Sequence, residues 1–217
     1  DTLFDFQQAE QNALEQLMED FGYSCNENER TQYRNINEAL WRRHEAGELT
    51  KEELQANPFT RFFAALSIQG DGLAAIERYL DHLAEQRCLM DGALKVCREL
   101  SSSCRLYIVT NGISGVQRRR LELSPLKALI SDIFVSEDTG SQKPKPEFFS
   151  YVFAKIPDFR REKALIVGDS ITSDIQGGIN AGIDTCWLNR KGKDISGGIM
   201  PTYEISQLWQ LPQLILK

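Results

Sequence analysis

Apolar positions along this chain follow two rhythms. From residue 7 to about residue 89 they recur at helical spacing. Phe6, Ala9, Ala13, Leu17 and Phe21, with Leu14 and Met18 beside them, predict a first helix that Gly22 ends. Tyr33, Ile36, Leu40 and His44, with Trp41, form a second stripe that stops at Gly47. Thr50 and Glu53 have capping-box spacing, in which each side chain can bond the other's backbone amide, and they predict the start of a third helix. Pro58 breaks or bends it, and apolar residues resume at Phe62 and Phe63. A turn at Gly70-Asp71-Gly72 leads into a fourth stripe, Leu73, Ile76, Leu80 and Leu83.

After residue 90 the rhythm changes. Short β-rich runs at Arg105–Thr110, Asp132–Ser136, Ala164–Val167, Thr185–Leu188 and Thr202–Ile205 alternate with helical stretches. Such alternation predicts βαβ units, hence an α/β fold with a mainly parallel, doubly wound sheet. The Gly- and Lys-containing stretch 190–200 reads as a loop.

Composition narrows the function classes. A length of 217 residues suits one core with a smaller lobe, and 41% apolar residues are enough to bury it. A net charge of -6 argues against a nucleic-acid polymer as partner, because that binding needs Lys and Arg on phosphates. Arg118, Arg119 and Arg120 are read as the wet side of a helix. The five cysteines are odd in number and widely spaced, which suggests neither a disulfide framework nor a zinc site. His44 and His82 lie in helical patterns far from other motifs and are assigned surface or lobe-interface roles. No apolar run approaches the ~20 residues that span a bilayer, so no membrane association is expected. The expected location is cytoplasmic, and nothing demands an obligate protein partner.

In open parallel sheets ligands bind outside the carboxyl ends of the strands. Three strand ends here are polar. The first runs into Thr110-Asn111-Gly112, the second precedes a loop containing Lys143-Pro144, and the third runs into Gly168-Asp169-Ser170 with Asp174 beyond. Each alone has an ordinary reading as a turn, a solvated lysine or a helix cap. Together they are parts for phosphoryl transfer. A hydroxyl and turn amides suit phosphate oxygens, a lysine brings positive charge, and two aspartates suit a hard cation such as Mg²⁺.

The order Thr-Asn-Gly, Lys-Pro, Gly-Asp-x-x-x-x-Asp resembles motifs II, III and IV of the haloacid dehalogenase-like superfamily, and Asp1-Thr2-Leu3 resembles the tail of motif I. The resemblance covers essentially the whole chain. SEDTGSQKPKPEFF, VGDSITSDIQGGINAGIDTCWLN and NINEALWRRHEAGELT are similar to its pyrimidine 5′-nucleotidase branch. It implies a Rossmann-like core of residues 1–6 and 90–217, and a helical cap of residues 7–89 inserted after motif I. By resemblance Thr110 and the amides of Asn111 and Gly112 bind the phosphoryl group and Lys143 neutralises it. Asp169 binds Mg²⁺, and Asp174 either supports the metal or orients Lys143. The nucleophilic Asp is placed three residues before Asp1 and the acid/base Asp immediately before it, on a strand of roughly ten residues at ~3.3 Å each. Asp5, Asn35, Asn37 and Trp41 are candidate substrate contacts of the cap.

The expected activity is hydrolysis of a small phosphorylated metabolite through an aspartyl-phosphate, with pyrimidine nucleoside 5′-monophosphates as substrates. Sugar phosphates or phosphoglycolate, a metal-free haloacid dehalogenase and a non-catalytic phospho-ligand binder are the alternatives.

Overall fold

The computed structural model describes residues 1–45, 47–50, 53, 58–195 and 198–216. The chain divides into two compact units, Asp1–Phe6 with Arg87–Lys217, and Gln7–Gln86.

The unit Gln7–Gln86 is built from α1 (Phe6–Asp20), α2 (Glu27–Glu45), α3 (Pro58–Leu66) and α4 (Gly72–Ala84). The first stripe becomes a buried face, but the fourth is displaced: Leu73 is 62% exposed and Ile76 and Leu80 are half-buried, because the inward side of that helix is carried by Ala75, Tyr79 and Leu83 instead. Ala9, Ala13, Leu14, Leu17 and Met18 of α1 are buried, as are Ala75, Tyr79 and Leu83 of α4. Aromatic rings join the helices, with Tyr33 stacked on Phe59 at 5.0 Å and Phe59 against Tyr79 at 5.0 Å. Asp71 caps α4 by accepting from the Leu73 amide at 2.9 Å. Thr50 and Glu53 make the reciprocal bonds of a capping box, at 2.9 and 3.2 Å, while most of the helix expected after them lies outside the described residues. His82 bonds Asp20 at 2.8 Å and His44 bonds the Leu49 carbonyl at 2.9 Å. Glu10 and Asn37 are both buried and share a 2.5 Å hydrogen bond from the Asn37 amide to the Glu10 carboxyl.

Among the described residues the other unit holds five strands in parallel pairing: β1 (Leu106–Thr110), β2 (Ile130–Val135), β3 (Leu165–Gly168), β4 (Asp184–Leu188) and β5 (Tyr203–Ile205). They fall at all five β-rich runs, with ends shifted by up to two residues. β1 pairs with β2, and β3, β4 and β5 form a second ladder. Among the described residues the two ladders are not hydrogen-bonded to each other. Helices cover two faces. Met90, Val96 and Leu100, the last two on α5 (Ala93–Leu100), pack with Cys186, Leu188 and Ile205. Phe148, Phe149 and Val152 of α7 (Pro146–Lys155) and Ala181 of α8 (Gln176–Ala181) pack with Phe134 and Ile166. This is the doubly wound α/β arrangement.

One expectation fails. The run Arg118–Arg120 lies on α6 (Ser114–Glu122), but only Arg118 and Arg119 face solvent. Arg120 is 1% exposed, because it stands four residues after buried Val116 and beside buried Leu121, on the inward stripe of that helix. All five cysteines are free thiols, with Cys97 and Cys186 buried. Among the described residues no helix is long and apolar enough to cross a membrane.

Candidate active site

Parallel pairing sets the site. The register aligns Thr110 with Val135 and Gly168 with Trp187, so within each ladder the carboxyl ends finish level. The three polar motifs leave the sheet from these ends.

Beyond β1 the Thr110 hydroxyl accepts from the Gly112 amide at 3.1 Å, which closes the turn. The Asn111 side chain faces the Lys143 backbone and makes two bonds with it. Its amide nitrogen donates to the Lys143 carbonyl at 2.9 Å, and its oxygen accepts from the Lys143 amide at 2.9 Å. A primary amide offers one donor and one acceptor side by side, which matches the two groups of one peptide residue. The second motif is therefore fastened to the first by Asn111.

Lys143 is 8% exposed, and its Nζ donates to the Val109 carbonyl at 2.9 Å and to Asp174 Oδ1 at 2.6 Å. The other Asp174 oxygen accepts from the Ser170 amide at 3.1 Å. Asp174 reaches this position because the chain after β3 makes a single wide turn, Ile171–Ile175. There the Ile175 amide bonds Ser170 O, five residues back, at 3.2 Å. Ser170 rather than Asp169 caps this turn, accepting from the Ser173 amide at 3.2 Å. Gly168 is required by the same packing, since a Cβ there would collide with the Asp174 carboxylate. Lys143 is thus a buried ammonium paired with a buried carboxylate, and each has further hydrogen bonds, the condition under which such a pair is tolerated.

Asp169 is held differently. Its Oδ1 accepts from the Thr2 hydroxyl at 2.9 Å. Its carbonyl accepts from the Trp187 indole at 3.1 Å. Asp1 Oδ1 accepts from the Phe6 amide, at the start of α1, at 2.7 Å.

The structure therefore brings Thr110, Asn111, Gly112, Lys143, Asp169 and Asp174 to the strand ends of one unit. Of the other candidates, Asn37 is bonded to Glu10, Asn35 is exposed and Trp41 packs edge-on to His44 at 5.9 Å, all in the helical unit. Asp5 lies in the strand-end unit, where its amide bonds Cys88 O at 3.0 Å. Sequence reasoning missed the Asn111 side-chain clamp, the Trp187 donor and the acceptor at Val109. Backbone acceptors carry no signal in the residue letters, and an amide next to a threonine reads as turn chemistry.

Residues 1–188 match the haloacid dehalogenase-like hydrolase family. The chain is 44% identical over 215 residues to the HAD-hydrolase YfnB of Bacillus subtilis, covering 99% of this chain and 92% of that protein. It is 38% identical over 205 residues to the pyrimidine 5′-nucleotidase PynA of Streptococcus pneumoniae, covering 94% and 86%. It is 31% identical over 217 residues to the pyrimidine 5′-nucleotidase YjjG of Escherichia coli, covering 100% and 95%. The crystal structure of magnesium-bound YfnB superimposes with a TM-score of 0.93 at 43% identity, over 98% of this chain and 93% of that one.

Proposed function

This chain belongs to the haloacid dehalogenase-like hydrolase family, and we propose that it is a phosphatase releasing phosphate from nucleoside 5′-monophosphates, with pyrimidine nucleotides preferred. The observation that carries the reading is the Lys143–Asp174 pair, tied to the first motif through Asn111 and Val109 and to the third through Ser170. It fixes a positive charge beside the Thr110 turn, where a phosphoryl group needs both charge neutralisation and hydrogen-bond donors.

The geometry supports the following roles. Thr110 and the Asn111 amide bind phosphate oxygens, and the Gly112 amide, donating to the Thr110 hydroxyl, fixes the direction of that hydroxyl. Lys143 neutralises charge on the phosphoryl group as the attacking oxygen approaches. Asp174 is the partner that orients Lys143, since one of its oxygens is on the ammonium and the other on the Ser170 amide. Asp169 is the carboxylate offered to a cation. Among the described residues no three His, Cys, Asp or Glu form a metal cage. Mg²⁺ does not need one, because it is held by one or two carboxylates plus waters and substrate oxygens, and Asp169 fits that donor set. When bound, Mg²⁺ supplies Lewis-acid neutralisation of the phosphate.

The test is phosphate release by the full-length protein from nucleoside monophosphates, sugar phosphates and p-nitrophenyl phosphate, with Mg²⁺ and with EDTA. Turnover is expected with Mg²⁺, greatest on pyrimidine 5′-monophosphates and lost in Asp169→Ala. A folded protein that hydrolyses no phosphoester refutes the reading, and a clear preference for sugar phosphates refutes the nucleotide assignment.

A further inference from the structure

Arg120 has a buried guanidinium that the proposed chemistry does not use. A charge out of water is costly unless it is engaged. At 1% exposure, Arg120 stacks over the Phe4 ring at 4.9 Å and directs a donor at the Asp5 carbonyl across a long 3.5 Å contact. Phe4 and Asp5 form half of a short antiparallel strap. Phe4 bridges Leu89, the Asp5 amide donates to Cys88 O at 3.0 Å, and the Met90 amide donates to Leu3 O at 2.9 Å. The same segment carries Thr2, whose hydroxyl donates to the Asp169 carboxylate at 2.9 Å. α6, which carries Arg120, starts just after the Thr110-Asn111-Gly112 turn.

We infer that Arg120 is a positioning residue for the reaction. It locks the Leu3–Asp5 strap against the strand-end unit, and through the strap it sets where Thr2 and the residues beside it stand relative to Asp169. The planar guanidinium is suited to this, because it lies flat on an aromatic ring while keeping donors for a backbone carbonyl in its plane. The inference concerns catalytic geometry, so its kinetic arm rests on the phosphatase reading. Misplacement on the scale of an ångström at reacting groups costs up to about 100-fold in rate. Thr110 and Lys143 stand on other segments, so substrate binding should be spared.

The experiment compares full-length wild type with Arg120→Met, Arg120→Lys and, as a charge-loss control on the solvent side of the same helix, Arg119→Met. Steady-state kinetics and amide hydrogen exchange are measured for each. In Arg120→Met, kcat is expected to fall by about 10- to 100-fold with KM within threefold, and the Asp5 and Met90 amides to exchange faster. Arg120→Lys should recover part of kcat and part of the protection, and Arg119→Met should match wild type. A folded Arg120→Met that keeps kcat within twofold, or slow exchange at those two amides, overturns the proposal. So does a fall in kcat that vanishes once the folded fraction is equalised by cooling. If Arg120→Met does not fold, the same two readouts on Arg120→Lys decide. If wild type turns over no phosphoester, the phosphatase reading fails by itself, and exchange at Asp5 and Met90 still supports or overturns the strap.

Discussion

Asp174 shows how little room this site leaves to a single residue. Its carboxylate meets the Lys143 ammonium on one side and the Ser170 amide on the other, and Gly168 is a glycine because that carboxylate lies against it. In Asp174→Asn the shape survives but the charge opposite a buried ammonium is lost. Breaking one half of a buried pair costs about 3 kcal/mol or more. We expect kcat to fall at least about 100-fold, as for removal of one preorganised electrostatic group, together with a lower melting temperature. A kcat within threefold of wild type would remove Asp174 from the orienting role. Gly168→Ala tests the same packing without touching charge. Its methyl must displace the Asp174 carboxylate, so phosphate release should drop as in Asp174→Asn although Lys143 and Asp174 are both present. Full activity in Gly168→Ala would show that the carboxylate can move without consequence.

At the scale of elements, the clearest sequence signals came from periodicity and from turn chemistry. The stripes Ala9–Ala13–Leu17 and Leu73–Ile76–Leu80 lie on α1 and α4, and the β-rich run RLYIVT contains β1. Arg120 was misread because its letter matches its two neighbours, although its spacing from Val116 put it on the inward face of α6. Glu10 was overlooked for the same reason, since a glutamate inside an apolar stripe reads as the polar edge of a helix. Buried and bonded to Asn37, it has its carboxyl pushed up to about 7, chiefly by loss of water. The sign of the linkage follows. A folded-state value above the unfolded one means that the native state holds the proton longer, so stability declines as pH rises from the ordinary glutamate value of 4.5 to about 7. Glu10→Gln keeps an acceptor for Asn37 and removes the ionisation. It should add roughly 2–3 kcal/mol at pH 8 and little at pH 5. Urea unfolding of both proteins at both pH values checks this, and an equal gain at the two pH values would contradict the burial argument.

For the whole molecule, the fold class and the meeting of the polar motifs at the strand ends were readable because each depends on residue type in order along the chain. Thr110, Lys143, Asp169 and Asp174 stand at successive strand ends, and parallel pairing brings strand ends together whatever lies between them. What could not be read was the wiring: Asn111 on the Lys143 backbone, Trp187 on the Asp169 carbonyl, and both Asp174 oxygens already engaged. Those are choices of rotamer and approach that many three-dimensional arrangements of the same letters could satisfy differently.

The strap has an architectural meaning of its own. Residues 7–86 leave and re-enter the strand-end unit at points joined by a 3.0 Å hydrogen bond between Asp5 and Cys88. To its host, the whole helical insertion is a hairpin tip. Anything whose two ends emerge side by side, from a two-residue turn to a foreign helical module, meets the same boundary condition. Evolution can exchange what is inserted there without renegotiating the sheet that receives it.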